Sequence, residues 1–145
     1  MTANIFTLHA LDTVCHVRPG IHEWNEDAIS STRQYIENGT DFNRWKQDAF
    51  LGLRIYTQLA REFGWESYKS VFRHYENTKP NLSNDQEKID YWIKTFSQQV
   101  QQNLIPLFRF WGFPISQSTV DTLANLKLAI ISDELIQIAP QRYHV

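Results

Sequence analysis

The feature that most restricts the fold of this chain is a long run of apolar side chains at helical spacing. Phe42, Trp45, Ala49, Phe50, Leu53, Tyr56, Leu59, Ala60 and Phe63 recur at steps of three, four and one. A helix of about 3.6 residues per turn puts them on one face, and a strand of period two does not. Leu51 and Ile55 add a second apolar flank, so this helix belongs in the middle of a bundle, covered on more than one side. Gly64 follows and is read as its left-handed C-cap.

The rest of the chain carries the same period. Ser83 and Gln86 form a capping box at the start of a second strong helix, whose buried stripe is Ile89, Trp92, Ile93, Phe96 and Val100. Asp85 and Glu87 suit the positive end of its dipole. Trp65, Tyr68, Val71, Phe72 and Tyr75 mark a shorter helix before it, separated by the polar loop 76–82 with Pro80. Asn25 is read as the cap of a helix through Ile36, closed by Asn38-Gly39. Residues 4–15 are apolar on most sides and read as a buried helix, followed by a turn at Pro19-Gly20. Residues 104–111 suit a short helix with Pro106 in its first turn, stopped by Gly112 and Pro114, and Ser118 caps another. Residues 126–138 are ambiguous between alternation and helix. The expectation is one all-α domain over residues 1–145, an irregular bundle of about six to seven helices.

Charge and cysteine usage narrow the function classes. The net charge is −2 and Lys and Arg are scattered, which argues against nucleic acid or an anionic membrane surface as partner. Cys15 is the single cysteine, so there is no internal disulfide and no cysteine-based zinc knuckle. Sequons occur at Asn38 and Asn81, but the first fifteen residues lack a basic start and an unbroken apolar run. No stretch approaches the ~20 apolar residues of a membrane span. The chain reads as cytosolic and soluble, without direct membrane insertion.

A search for chemistry finds no assembled set. His22-Glu23 begins like HExxH, but the position four after His22 is Glu26. That metal motif needs two histidines one turn apart on one face. His9 and His16 are seven residues apart, two turns along one helix, and read as core or surface side chains. His74 reads as packing or solvent-exposed, and His144 as part of a frayed tail. Cys15 on an apolar helix reads as a buried, inert thiol. The five tryptophans invite a carbohydrate or peptide groove. Trp45, Trp65 and Trp92 each fall on an apolar stripe, however, which favours core, while Trp24 and Trp111 are less constrained. No catalytic and no metal-ligating residue is assigned.

Segments of the chain do resemble a known family. The run Leu51-Gly-Leu-Arg-Ile-Tyr-Thr-Gln-Leu-Ala-Arg-Glu-Phe-Gly-Trp65, with Val71-Phe72 and Tyr75 after it, is similar to the enhancin-like zinc metallopeptidases. A second run matches in order and spacing: Trp92, Phe96, Gln99-Val100, Asn103-Leu104, Pro106, Phe108, Trp111 and Pro114. The opening, with Thr2, Asn4, Ile5-Phe6 and Val14, fits as well, so the resemblance covers residues 1–115. It is closest to the TRPM channel-associated factors.

In that family an HExxH helix and a downstream Glu hold zinc, and the Glu is followed after one residue by Thr and two further on by Asn. Thr2 and Asn4 take those last places here. The resemblance then implies that the third ligand and the HExxH lie upstream of Met1, so this chain holds no cofactor of its own and zinc belongs to the full-length family domain. It implies the helical C-terminal part of a peptidase-like domain, with Asn4 the one side chain near the cleft. The bare residues favour a helix cap for Asn4. The implied role is non-catalytic: a scaffold contacting a protein partner, a membrane cation channel by the family parallel, and the missing N-terminal half of the domain, at the cytoplasmic face of the plasma membrane. The other readings are a segment of an active peptidase acting on proteins or mucin-like glycoproteins, and an unrelated helical interaction module.

Overall fold

One aspartate divides the long apolar stripe into two helices. The computed structural model describes residues 2–16 and 26–143, without the side chains of residues 2–4 and 26–29. In it, α3 (Phe42–Gln47) ends at Asp48, which also caps α4 (Ala49–Thr78). The Asp48 backbone is extended, and its Oδ1 accepts from the N–H groups of Phe50 and Leu51 at 2.9 and 3.0 Å. A short carboxylate competes with the helix for nearby backbone donors, so it favours a boundary over an interior. The single helix expected over residues 42–63 is therefore two, and the stripe survives across the bend. Leu51, Leu53, Ile55, Leu59 and Ala60 are buried.

Gly64 has the positive φ expected of it, at 72°, but with ψ 169° it lies in an extended region open essentially to glycine alone. The chain does not stop there. It kinks and continues as helix to Thr78, where Lys79 closes it in the left-handed conformation. The aromatic segment after Gly64 is thus the second half of α4. Tyr68 ties the halves together by donating to the Tyr56 carbonyl at 2.7 Å.

Packed against α4 is α5 (Asp85–Val100), with Ile89, Ile93 and Phe96 buried as its stripe requires. Its cap is Asn84, one residue later than expected: Asn84 Oδ1 accepts from the Glu87 N–H at 2.9 Å. The Glu87 carboxylate in turn accepts from the Ser83 N–H at 2.6 Å. The reciprocal pair forms around Glu87 because a carboxylate is a stronger acceptor than the Gln86 amide. Gln86 donates instead to Asp90 and to the Pro114 carbonyl.

The core is closed by α6 (Ile105–Phe110), with Pro106 in its first turn, whose Leu107, Phe108 and Phe110 are fully buried. Trp111 and Gly112 end it as expected, and Trp111 is wholly buried despite its place at a turn. Then α7 (Gln117–Leu123) starts from Ser116, not Ser118. The Ser116 N–H is held by Asp90 at 3.1 Å and its backbone is already extended, the conformation a cap requires. Residues 126–138 run mainly without regular structure. Their one isolated bridge pairs Leu128 with Asn103 in parallel, and short 3-10 helices follow at Ile136–Ile138 and Pro140–Arg142.

The first two helices flank α4: α1 (Thr2–Thr13) and α2 (Glu26–Glu37), the latter closed by Gly39 at φ 85°. The expected cap Asn25 and the turn at Pro19-Gly20 lie outside the described residues. Only part of the opening segment is buried, contrary to expectation: in α1 Ile5 and Leu8 face the core while Phe6 is 61% exposed, and Val14, just past its end, is 74% exposed. The described residues form seven α-helices and no named strand, an all-α architecture.

Candidate functional site

Where α3, α4 and α5 meet, their aromatic side chains do not close over one another but surround a cavity of about 430 Å³. Phe42 and Trp45 reach it from consecutive turns of α3, stacked at 5.6 Å and 16°. Tyr56 comes from the first half of α4 and Tyr75 from the half beyond the Gly64 kink. Trp92 comes from α5, edge-on to Tyr56 at 5.8 Å. Phe113, set by the Gly112 turn, closes the wall against Trp45 at 4.5 Å. The cavity also touches Lys46, Lys88 and Asp85. The Lys88 and Asp85 side chains are 3.8 Å apart, and the Lys46 ammonium lies 5.8 Å from the Phe42 ring centre.

Two donors in these walls are unusual. The indole N–H groups of Trp45 and Trp92 are buried and have no acceptor in the protein. Buried donors are nearly always paired, and an unpaired one costs about 1–3 kcal/mol. The described tryptophans away from this cavity obey the rule: Trp65 donates to Asp12 and Trp111 to Gln58, both at 2.6 Å. Burial raises the Tyr56 phenol to about 12 and pushes the Tyr75 phenol up as well, so both stay protonated at neutral pH. The cavity therefore offers apolar ring surface and two ammonium groups, with Asp85 the only carboxylate of its lining.

The residues singled out from sequence lie elsewhere or do not converge. Asn4 falls in the first turn of α1, and its side chain is not among those described. His9 packs edge-on against Trp65 at 5.1 Å, and His74 Nε2 lies 3.0 Å from the Tyr91 hydroxyl, each a packing role. His16 takes a positive φ of 55° just after α1. Cys15 is exposed, where a buried thiol was expected, because it falls past the end of α1. His22, Glu23, Trp24 and His144 lie outside the described residues. Among the described residues no three His, Cys, Asp or Glu side chains gather where a metal could sit. A smaller cavity of about 180 Å³ lies between α1 and the second half of α4, lined by Phe6, His9, Trp65 and Phe72 among others.

Trp45 and Trp92 were expected in the core. Trp45 is buried and Trp92 half-buried, yet both also line the larger cavity. Period alone could not reveal this, since a stripe shows which residues face inward and not whether the opposing faces touch. Lys46 directly after Trp45 is the one local hint of a polar edge.

Comparison with known proteins follows the sequence resemblance closely. A family model described as "Peptidase M60, enhancin and enhancin-like" matches residues 1–112. "TRPM8 channel-associated factor 1" of Pongo abelii is 34% identical over 129 residues, and its Homo sapiens counterpart is 32% identical over 128. The "TRPM8 channel-associated factor homolog" of Xenopus laevis is 30% identical over 128 residues. In each case the match takes in 86% of this chain and 14% of the relative, so the chain spans a small part of the proteins it resembles. No solved structure matches it.

Proposed function

The chain belongs to the peptidase M60 family of enhancin and enhancin-like proteins, and on that premise we propose that it is the non-catalytic, helical C-terminal portion of a peptidase-like domain in a channel-associated protein. Its work is mechanical: it presents a rigid helical surface to a partner and to the rest of its domain. The observation that carries this reading is α1 and the turn after it, which lie at the start of the matched region yet leave Phe6 and Val14 largely exposed. Two large exposed apolar side chains in so short a segment suit a surface made to be covered. Asn4, in the first turn of the same helix, is the residue assigned to the cleft side. The names of the relatives, TRPM8 channel-associated factors, support a channel as the partner class, and the reading takes the protein to the cytoplasmic face of the plasma membrane. No helix among the described residues is long and apolar enough to cross a membrane, and contact through a partner needs none.

The test is retention of the purified chain on detergent-solubilised TRPM8 channel. Wild type is expected to be held, and Phe6→Asp with Val14→Asp is expected to be released while keeping its helical circular dichroism. Equal retention of both, or none of either, would sink the proposal.

The family model favours a second reading, in which this segment serves an active zinc metallopeptidase whose motif lies earlier in a longer chain. An in-frame HExxH followed by a Glu upstream of Met1, with stoichiometric zinc and proteolysis by the full-length protein, would support it. Stoichiometric zinc on the present chain alone would overturn the site assignment in both readings.

A further inference from the structure

We propose that the cavity between α3, α4 and α5 binds a small molecule with an apolar or aromatic body and one carboxylate, its body between the rings of Trp45, Tyr56, Trp92 and Phe113 and its acid group at the Lys46 edge. A volume of about 430 Å³ lies within the about 300–1,000 Å³ usual for ligand pockets. The walls are ring surface at mutual angles from 16° to 76°, shaped for a planar or branched hydrocarbon body. The charge balance then selects the polar end. Two ammonium groups face one carboxylate, and Lys88 already sits beside that carboxylate, Asp85, at 3.8 Å. Lys46 is the remaining positive charge of the lining.

A carboxylate at this edge meets the Lys46 charge and leaves the ring surfaces to the body. An aromatic cage of this kind also suits a quaternary ammonium, but a cation would meet the like charge of Lys46. A sugar needs a dense ring of hydrogen-bonding side chains, and this lining is mostly hydrocarbon. Such a ligand site is independent of the peptidase family and of channel binding, and its absence would leave that reading untouched.

The indole region of a ¹H–¹⁵N correlation spectrum tests it on the intact chain. Trp45→Phe and Trp92→Phe assign the two signals, and the probes are 4-phenylbutyrate, 4-phenyl-1-butanol and 4-phenylbutylamine. Phenylbutyrate is expected to shift the Trp45 and Trp92 signals saturably and leave those of Trp65 and Trp111 in place. The alcohol should bind about tenfold more weakly and the amine more weakly still, since a charged acceptor forms the stronger hydrogen bond. Lys46→Gln, at an exposed position, should weaken phenylbutyrate by a similar factor without loss of helical signal. No saturable shift at millimolar probe, equal binding of the amine, or an unchanged Lys46→Gln affinity would each overturn the proposal.

Discussion

Replacing Gly112 by Ala separates two costs that glycines usually carry together. Gly112 has φ 82°, and a Cβ built there lies 2.9 Å from the Thr40 carbonyl carbon, 3.0 Å from its oxygen and 3.1 Å from the Asp41 nitrogen. Those atoms are backbone and are fixed in turn. Tyr35 donates to the carbonyls of Asp41 and Trp111, Thr40 to that of Phe110, and Arg142 reaches both the Ile36 carbonyl and the Thr40 hydroxyl. Gly64 is the internal control, for it also has positive φ, at 72°, but nothing within 4 Å of a Cβ. Backbone strain alone costs about 1–3 kcal/mol, offset by about 0.4–1 kcal/mol from the stiffer unfolded chain. Gly64→Ala should therefore destabilise by about 0.5–2 kcal/mol. Gly112→Ala must also push two chain segments apart from well inside carbon contact distance, an overpacking cost of about 1–3 kcal/mol more. Its total of about 2–5 kcal/mol is a large part of a typical domain's stability. Urea denaturation followed by circular dichroism at 222 nm measures both, with an unchanged slope showing that stability alone has moved. If Gly112→Ala proved no worse than Gly64→Ala, the close approach of the 40–41 turn to the end of α6 would be refuted.

Other consequences follow from particular contacts. Gln58 accepts from the buried Trp111 indole and donates to Asp133 at 2.7 Å, so Gln58→Leu should cost about 2–4 kcal/mol. Adding Trp111→Phe removes the orphaned donor, and a double-mutant cycle should recover about 1–2 kcal/mol of coupling. Asp48→Ala should cost about 0.5–2 kcal/mol through loss of the α4 cap, read as a lower thermal midpoint. Burial raises the Tyr35, Tyr56 and Tyr143 phenols to about 12 from 10. A phenol that holds its proton longer when folded stabilises the fold below pH 10 and loses that contribution as pH rises toward 12. Denaturant midpoints should therefore be flat through pH 9 and fall between about pH 10 and 12, in step with phenolate absorbance at 295 nm. Midpoints independent of pH across that window would contradict the burial.

Much of the fold was legible because helices record their packing in one dimension. The stripes of α4 and α5, the stops at Gly39 and Gly112, and Pro106 at the head of α6 all follow from 3.6-residue spacing and from backbone angles a few residue types prefer, whereas Gly64 bends α4 without ending it. The family was legible too, in motifs whose order along the chain survives in proteins about a third identical. Other features depended on contacts between distant residues. The cap at Ser116 was chosen by Asp90, a carboxylate of α5 that holds its N–H from 26 residues away. Trp111, beside a turn, is wholly buried because Gln58 and Tyr35 meet it from α4 and α2. Phe6, on a helix that read as apolar on most sides, was left facing outward because α4 covers only one side of it. The aromatic cavity is the clearest case. Spacing tells each tryptophan which way to face, but only the angles at which three helices cross, bent by Asp48 and by Gly64, decide whether facing rings touch or leave room between them.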